Sequence, residues 1–178
     1  MLGAGACTRT APEEAAAPAA QTGGCLAIGD GELAAQLRGA LAADLQWKNA
    51  EMQCDGGPHP DGDGLRVTIS GPLPGSSSRL RFIFGIDPDD TASGVAQAFP
   101  VNLTLLVEGG SQLYSTRGND NCAAETLQRT ALTQGEGGLE RIKVRGYCIG
   151  PASDLAGTAR VLVPTFSFTA LVRTGDPP

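Results

Sequence analysis

LAAQLRGALAADLQW, residues 33–47, carries leucine at every fourth position: Leu33, Leu37, Leu41 and Leu45. Ala34, Ala40 and Trp47 widen that apolar stripe, and a stripe of this width is the signature of an amphipathic helix lying on a core. Asp30 is placed to cap the first turn, while Glu32 near the start and Lys48 at the end suit the helix dipole. Gly39 weakens the segment slightly. The spacing therefore predicts one helix with a single face on a sheet.

Downstream the period changes to two. Leu65, Val67 and Ile69 alternate with Arg66 and Thr68, and Leu80, Phe82, Phe84 and Ile86 alternate with Arg79 and Arg81. Half-buried strands read this way, and the Gly/Pro/Ser loop over residues 71–78 makes the two an antiparallel pair. Residues 101–107 and 113–117 flank a Glu108-Gly109-Gly110-Ser111 turn, which predicts a hairpin. Residues 125–132 and 139–148 flank Gly135-Glu136-Gly137-Gly138 and predict another. Pairing Leu127 with Val144 keeps both on one face but sets Cys122 opposite Ile149. A β-bulge between Cys122 and Leu127 would bring Cys148 across from Cys122 instead. Residues 158–163 and 165–173 follow, with Pro164 marking an edge or bulged strand. The expected fold is α+β and mainly β: one N-terminal helix packed on an antiparallel sheet or β-sandwich of about seven strands.

The chain has 178 residues, which suffices for one domain with its own core. Its net charge of −6 argues against a nucleic-acid partner. His59 is the one histidine, so no site built on two imidazoles can form. No apolar run is long enough to cross a membrane as a helix. Nucleotide, kinase and metal-thiolate motifs are missing, and no catalytic residue, metal or cofactor is assigned.

Five cysteines remain to be placed: Cys7, Cys25, Cys54, Cys122 and Cys148. Cys7 ends a run of small residues, Leu2-Gly3-Ala4-Gly5-Ala6-Cys7. This run resembles the lipobox of bacterial lipoproteins, in which small residues precede a cysteine that is diacylated. Gly5 and Ala6 fill the small positions, while Ala4 stands where that family usually has leucine. The resemblance covers seven residues and implies a signal-peptide remnant over 1–7, lipidation of Cys7 and anchoring in a membrane. Thr8 after the cysteine, rather than Asp, implies an outer-membrane lipoprotein facing the periplasm. Residues 8–24, TRTAPEEAAAPAAQTGG, lack any large apolar side chain and read as a disordered Ala/Pro-rich tether. A globular domain is expected over 25–174 and a frayed tail over 175–178.

With Cys7 lipidated, four cysteines permit three pairings. Cys25 and Cys54 bracket the predicted helix, and Cys122 and Cys148 bracket a hairpin, so the neighbours Cys25–Cys54 and Cys122–Cys148 are the expected bridges.

Candidate chemistry is sparse. Asp61 and Asp63 resemble part of a calcium loop without its remaining ligands. Asp87, Asp89 and Asp90 cluster after a strand, and Asp120 sits between two asparagines. His59 lies between two prolines, and Ser76, Ser77 and Ser78 lack the turn that presents a nucleophile. Arg79 with Arg81, and Arg141 with Lys143 and Arg145, alternate along strand faces where an anionic partner could dock. The expected function is a non-enzymatic envelope lipoprotein, a protein-binding or assembly module of inhibitor or immunity type. It would hold the membrane through its lipid and bind a protein partner in the envelope. The alternative is a periplasmic hydrolase using carboxylates, assisted by calcium.

Overall fold

A computed structural model describes residues 25–27, 29–60, 64–87, 98–132 and 138–174. Cys7, the 8–24 segment, Asp61, Asp63, Asp89, Asp90 and the 175–178 tail lie outside the described residues. Twelve strands form one antiparallel sheet. They are β1 (Glu32–Gly39), β2 (Ala43–Lys48), β3 (Gln53–Pro58), β4 (Leu65–Pro72), β5 (Arg79–Ile86) and β6 (Phe99–Val107). The chain continues through β7 (Leu113–Ser115), β8 (Cys122–Ala131), β9 (Gly138–Cys148), β10 (Ala152–Ser153), β11 (Arg160–Leu162) and β12 (Phe166–Thr174). One 3₁₀ turn, Asn49–Glu51, joins β2 to β3.

The predicted N-terminal helix is replaced by the β1–β2 hairpin, so the α+β assignment is corrected to an all-β sheet. The reason is arithmetic as well as energetic. A spacing of four is a multiple of two, so the four leucines fit a strand period as well as a helical one. Leu33, Ala35 and Leu37 on β1, and Leu45 and Trp47 on β2, are the buried alternates. Gly39 then breaks the run with φ +108°, and a side chain there would run into the backbone carbonyl of Arg160. In a helix, Gly39→Ala would stabilise by about 1 kcal/mol. In this hairpin it is expected to destabilise instead, by about 1–3 kcal/mol. Urea unfolding reads that opposite sign directly.

Several strands lie end to end, which reduces the sheet to a simple meander. β7 and β8 share one edge of β6, since Thr104–Leu106 pair with β7 and Phe99–Val101 with β8. Likewise β11 and β12 share one edge of β1, and β10 and β9 run beside them. Opposite Ala35 to Arg38 the chain advances one residue farther, from Phe166 back to Leu162, so Pro164 sits in a bulge between β11 and β12. Its missing N–H therefore removes no ladder bond, although β12 itself is central, flanked by β1 and β9. Leu127 does pair with Val144, and a bulge between Ala124 and Thr126 sets Cys122 opposite Cys148.

The free edges of the meander curl toward each other. β3 lies against the end of β12 that β1 does not reach: Val172 Cγ1 and the Leu171 carbonyl occupy the space a side chain at Gly56 would need. The Leu171 N–H points at Cys54 Sγ at 3.5 Å, and Arg173 pairs with Asp55 at 3.1 Å. On β2, Trp47 Nε1 donates to the Pro72 carbonyl at 2.9 Å. The curled sheet encloses one core. Phe82 and Phe84 from β5 meet Phe166 and Phe168 from β12, with Phe84–Phe168 centroids 4.6 Å apart. Outward positions are mostly polar, which leaves the binding surfaces to the sheet's outer faces.

Candidate functional site

Both expected cysteine pairs are joined, Cys25–Cys54 and Cys122–Cys148. The first ties the approach to β1 to the β3 edge, and the second crosses β8 and β9 beside the bulge. Asn49 secures the same N-terminal corner. Its side chain accepts from the N–H groups of Leu26 at 2.8 Å and Gly31 at 3.1 Å, and donates to the Leu26 carbonyl at 3.0 Å. Asn49→Ala strands two backbone donors and one acceptor at this corner. It is expected to destabilise by about 1–3 kcal/mol, read as a lower midpoint in chemical denaturation.

The serine candidates are separated from the histidine. His59 and Asp87 line one concavity of about 340 Å³ together with Arg66, Asn102, Thr104 and Asn119. Ser76, Ser77 and Ser78 lie in the β4–β5 turn, at the other end of those strands, about 20 Å away at the usual strand rise. No serine–histidine pair can form across that distance. Asn121 is structural, donating its amide to the Thr116 carbonyl at 2.9 Å. Among the described residues no three His, Cys, Asp or Glu side chains group to hold a metal ion.

The basic pairs also divide. Arg81 donates to Glu108 at 2.8 Å, and Ser70 donates to the same carboxylate at 2.8 Å. Arg79 bonds the Ser70 carbonyl at 2.8 Å, so this cationic pair is consumed within the sheet. On β9 the buried positions include Ile142, Val144, Gly146 and Cys148, which turns Arg141, Lys143 and Arg145 to the outer face. Arg141 meets Asp30 at 2.6 Å. Lys143 and Arg145 are exposed and have no ion-pair partner among the described residues.

Register spells out the surroundings of these two cations. Lys143 lies between Gln128 on β8 and Thr169 on β12, and Arg145 lies between Thr126 and Ser167. Their direct ladder neighbours are therefore uncharged hydrogen-bonding groups. Two shallow hollows, of about 540 and 420 Å³, meet at Lys143, Gln128 and Glu32. The surface can offer cations to carboxylates or phosphates and hydroxyls to their neighbours, but it brings no nucleophile beside a base. Strand alternation marked these cations in the sequence. The hollows, formed where β8, β9, β12 and β1 lie side by side, had no local signal.

At the opposite end of β10, Asp154 organises the turn into β11. Desolvation, the largest single influence, raises its carboxyl pKa, but hydrogen bonds from the Thr158 side chain and the neighbouring backbone together outweigh it and hold the group below the usual carboxylate range. Thr158 supplies its N–H at 2.8 Å and its hydroxyl at 3.0 Å. A carboxylate with a depressed folded pKa contributes stability above its unfolded pKa and loses it as pH falls through the folded one.

No protein-family model, no curated protein and no solved structure matches this chain.

Proposed function

We propose that this chain is a non-enzymatic lipoprotein of the bacterial envelope, anchored through Cys7 and binding another envelope protein by the outer face of its sheet. The two bridges carry this reading. Disulfides persist in oxidising compartments and are rare in the cytosol. All four cysteines of the domain are consumed in them, which leaves Cys7 as the fifth cysteine, within its lipobox-like run. The uncommitted cations Lys143 and Arg145 supply a place for a partner.

Cys7→Ser tests the anchor. The expected result is a shift of the protein from the membrane fraction to the aqueous fraction, with loss of the diacylglyceryl mass from its N-terminal peptide. An unmodified N-terminal peptide in the wild type contradicts the anchor.

One observation favours a second reading, a periplasmic hydrolase: His59 and Asp87 share a concavity with Arg66. Carboxylate hydrolysis needs a second acid beside the first. That reading requires Asp87→Asn to abolish turnover while leaving partner binding intact.

A further inference from the structure

Among the described residues, β8 has neighbours on both sides only at its start. β6 pairs with Cys122, Ala123 and Ala124, and from Thr126 to Ala131 the one ladder partner among the described residues is β9. The Leu132 N–H donates to the Leu139 carbonyl at 2.8 Å across that ladder. Backbone direction alternates along an antiparallel strand. Thr126, Gln128 and Thr130 are therefore bonded to β9, while Leu127, Arg129 and Ala131 turn their N–H and C=O groups to the open side. Such an edge is a template for another strand.

Natural edges are commonly guarded by outward lysines, by proline or by a bulge in the middle of the strand. Here the bulge lies before the open stretch, and Thr126, Gln128 and Thr130 on the outer face are small or neutral. Arg129 is held by Glu140 at 2.6 Å. Beyond that low row stand Lys143 and Arg145. The two hollows beside them are lined by four cations, Lys48, Arg141, Lys143 and Arg145, against two carboxylates, Asp30 and Glu32, so this strip offers a local excess of positive charge to an anionic segment.

We infer that the β8 edge receives an extended segment of a partner polypeptide, with carboxylates at alternate positions, as an added strand. The inference rests on the proposed role as a protein-binding module and gives that partner its chemistry. An added strand would lie about 10 Å from β9, two strand spacings. A glutamate and a lysine or arginine together bridge that span over threonine-sized side chains. Main-chain bonds to Leu127, Arg129 and Ala131 supply affinity. The facing charges set register and select against basic segments.

The test uses the full chain with both bridges intact and a fluorescent peptide alternating glutamate with threonine. Saturable binding by anisotropy is expected, weakened about tenfold by Lys143→Glu with Arg145→Glu. Arg129→Pro, which removes one outward N–H and leaves the β9 ladder whole, is expected to weaken it similarly, with near-UV circular dichroism unchanged. A peptide with lysine in place of glutamate is expected not to bind. Equal binding of the lysine peptide, or undiminished binding by Arg129→Pro, overturns the inference. So does a dimer of this chain that Arg129→Pro dissolves, which would assign the edge to a second copy. Anionic vesicles bound equally by the wild type and Arg129→Pro would assign the cations to a membrane surface and overturn it as well. In cells, photo-crosslinkers at Gln128 and at Thr104, an outward position on β6 away from the open stretch, separate the two levels. Adducts at Thr104 alone overturn the edge assignment and keep the binding module, and adducts at neither overturn the module itself.

Discussion

Phe84→Ala is expected to destabilise the domain by about 3–5 kcal/mol. Phe84 is fully buried, and its ring has three aromatic neighbours: Phe168 at 4.6 Å, Phe166 at 5.1 Å and Phe82 at 5.7 Å between centroids. Two of these come from β12, on the opposite wall of the curled sheet. Truncation therefore loses transfer energy and opens a void between walls that backbone ladders hold apart. The melting temperature should fall by roughly 10 °C for a domain of this size. Ile83→Ala, one residue away on the outer side of β5, is the control and should cost far less. Urea denaturation checks both, with the midpoint moving and the slope unchanged. Equal effects at the two positions would mean that β5 faces the other way.

Replacing Cys25 and Cys54 together by alanine is the second large effect. The bridge closes a loop of 29 residues, for which the chain-entropy model gives about 3–4 kcal/mol. Its location adds a local consequence. β3 and β12 face each other without a shared ladder, joined by the Cys54, Asp55–Arg173 and Gly56–Val172 contacts. Without the bridge this seam should open first, seen as faster amide exchange in β3 than in β4, which stays paired to β5. Removing Cys122–Cys148 should lower stability by a similar amount, since its loop is 26 residues. It should leave the β3 seam protected, because its ladder partners remain in register. Uniform exchange after loss of Cys25–Cys54 would contradict the seam.

The β5, β6 and β9 strands were legible because apolar residues recur at every second position along most of each, although Ile83, Leu106 and Leu139 fall out of phase. The same alternation exposed a one-residue slip between Leu127–Val144 and Cys122–Cys148, and the bulge at Ala124/Thr126 resolves it. The 33–47 segment was ambiguous for a physical reason. Alanine favours a helix locally, and leucine every four residues fits either period. Pairing with β12 and burial of Trp47 beside Phe82 decided for strands, a tertiary effect no local preference contains. β3 was hidden too: QCDGGP has no apolar alternation, and its glycines read as a turn. In the fold Gly56 lets the backbone approach Val172. The outward cations of β9 were visible from the sequence. The one-sided pairing of Thr126–Ala131 among the described residues was not, because it depends on which strands lie beside β8, a relation between segments distant in the chain.

Peptide mapping of the protein purified from its native cells, under non-reducing conditions, tests the whole account most directly. It predicts two linked peptide pairs, joining residue 25 to 54 and 122 to 148, with Cys7 carrying fatty acyl mass. Five thiols open to alkylation, beside an unmodified N-terminus, would contradict it.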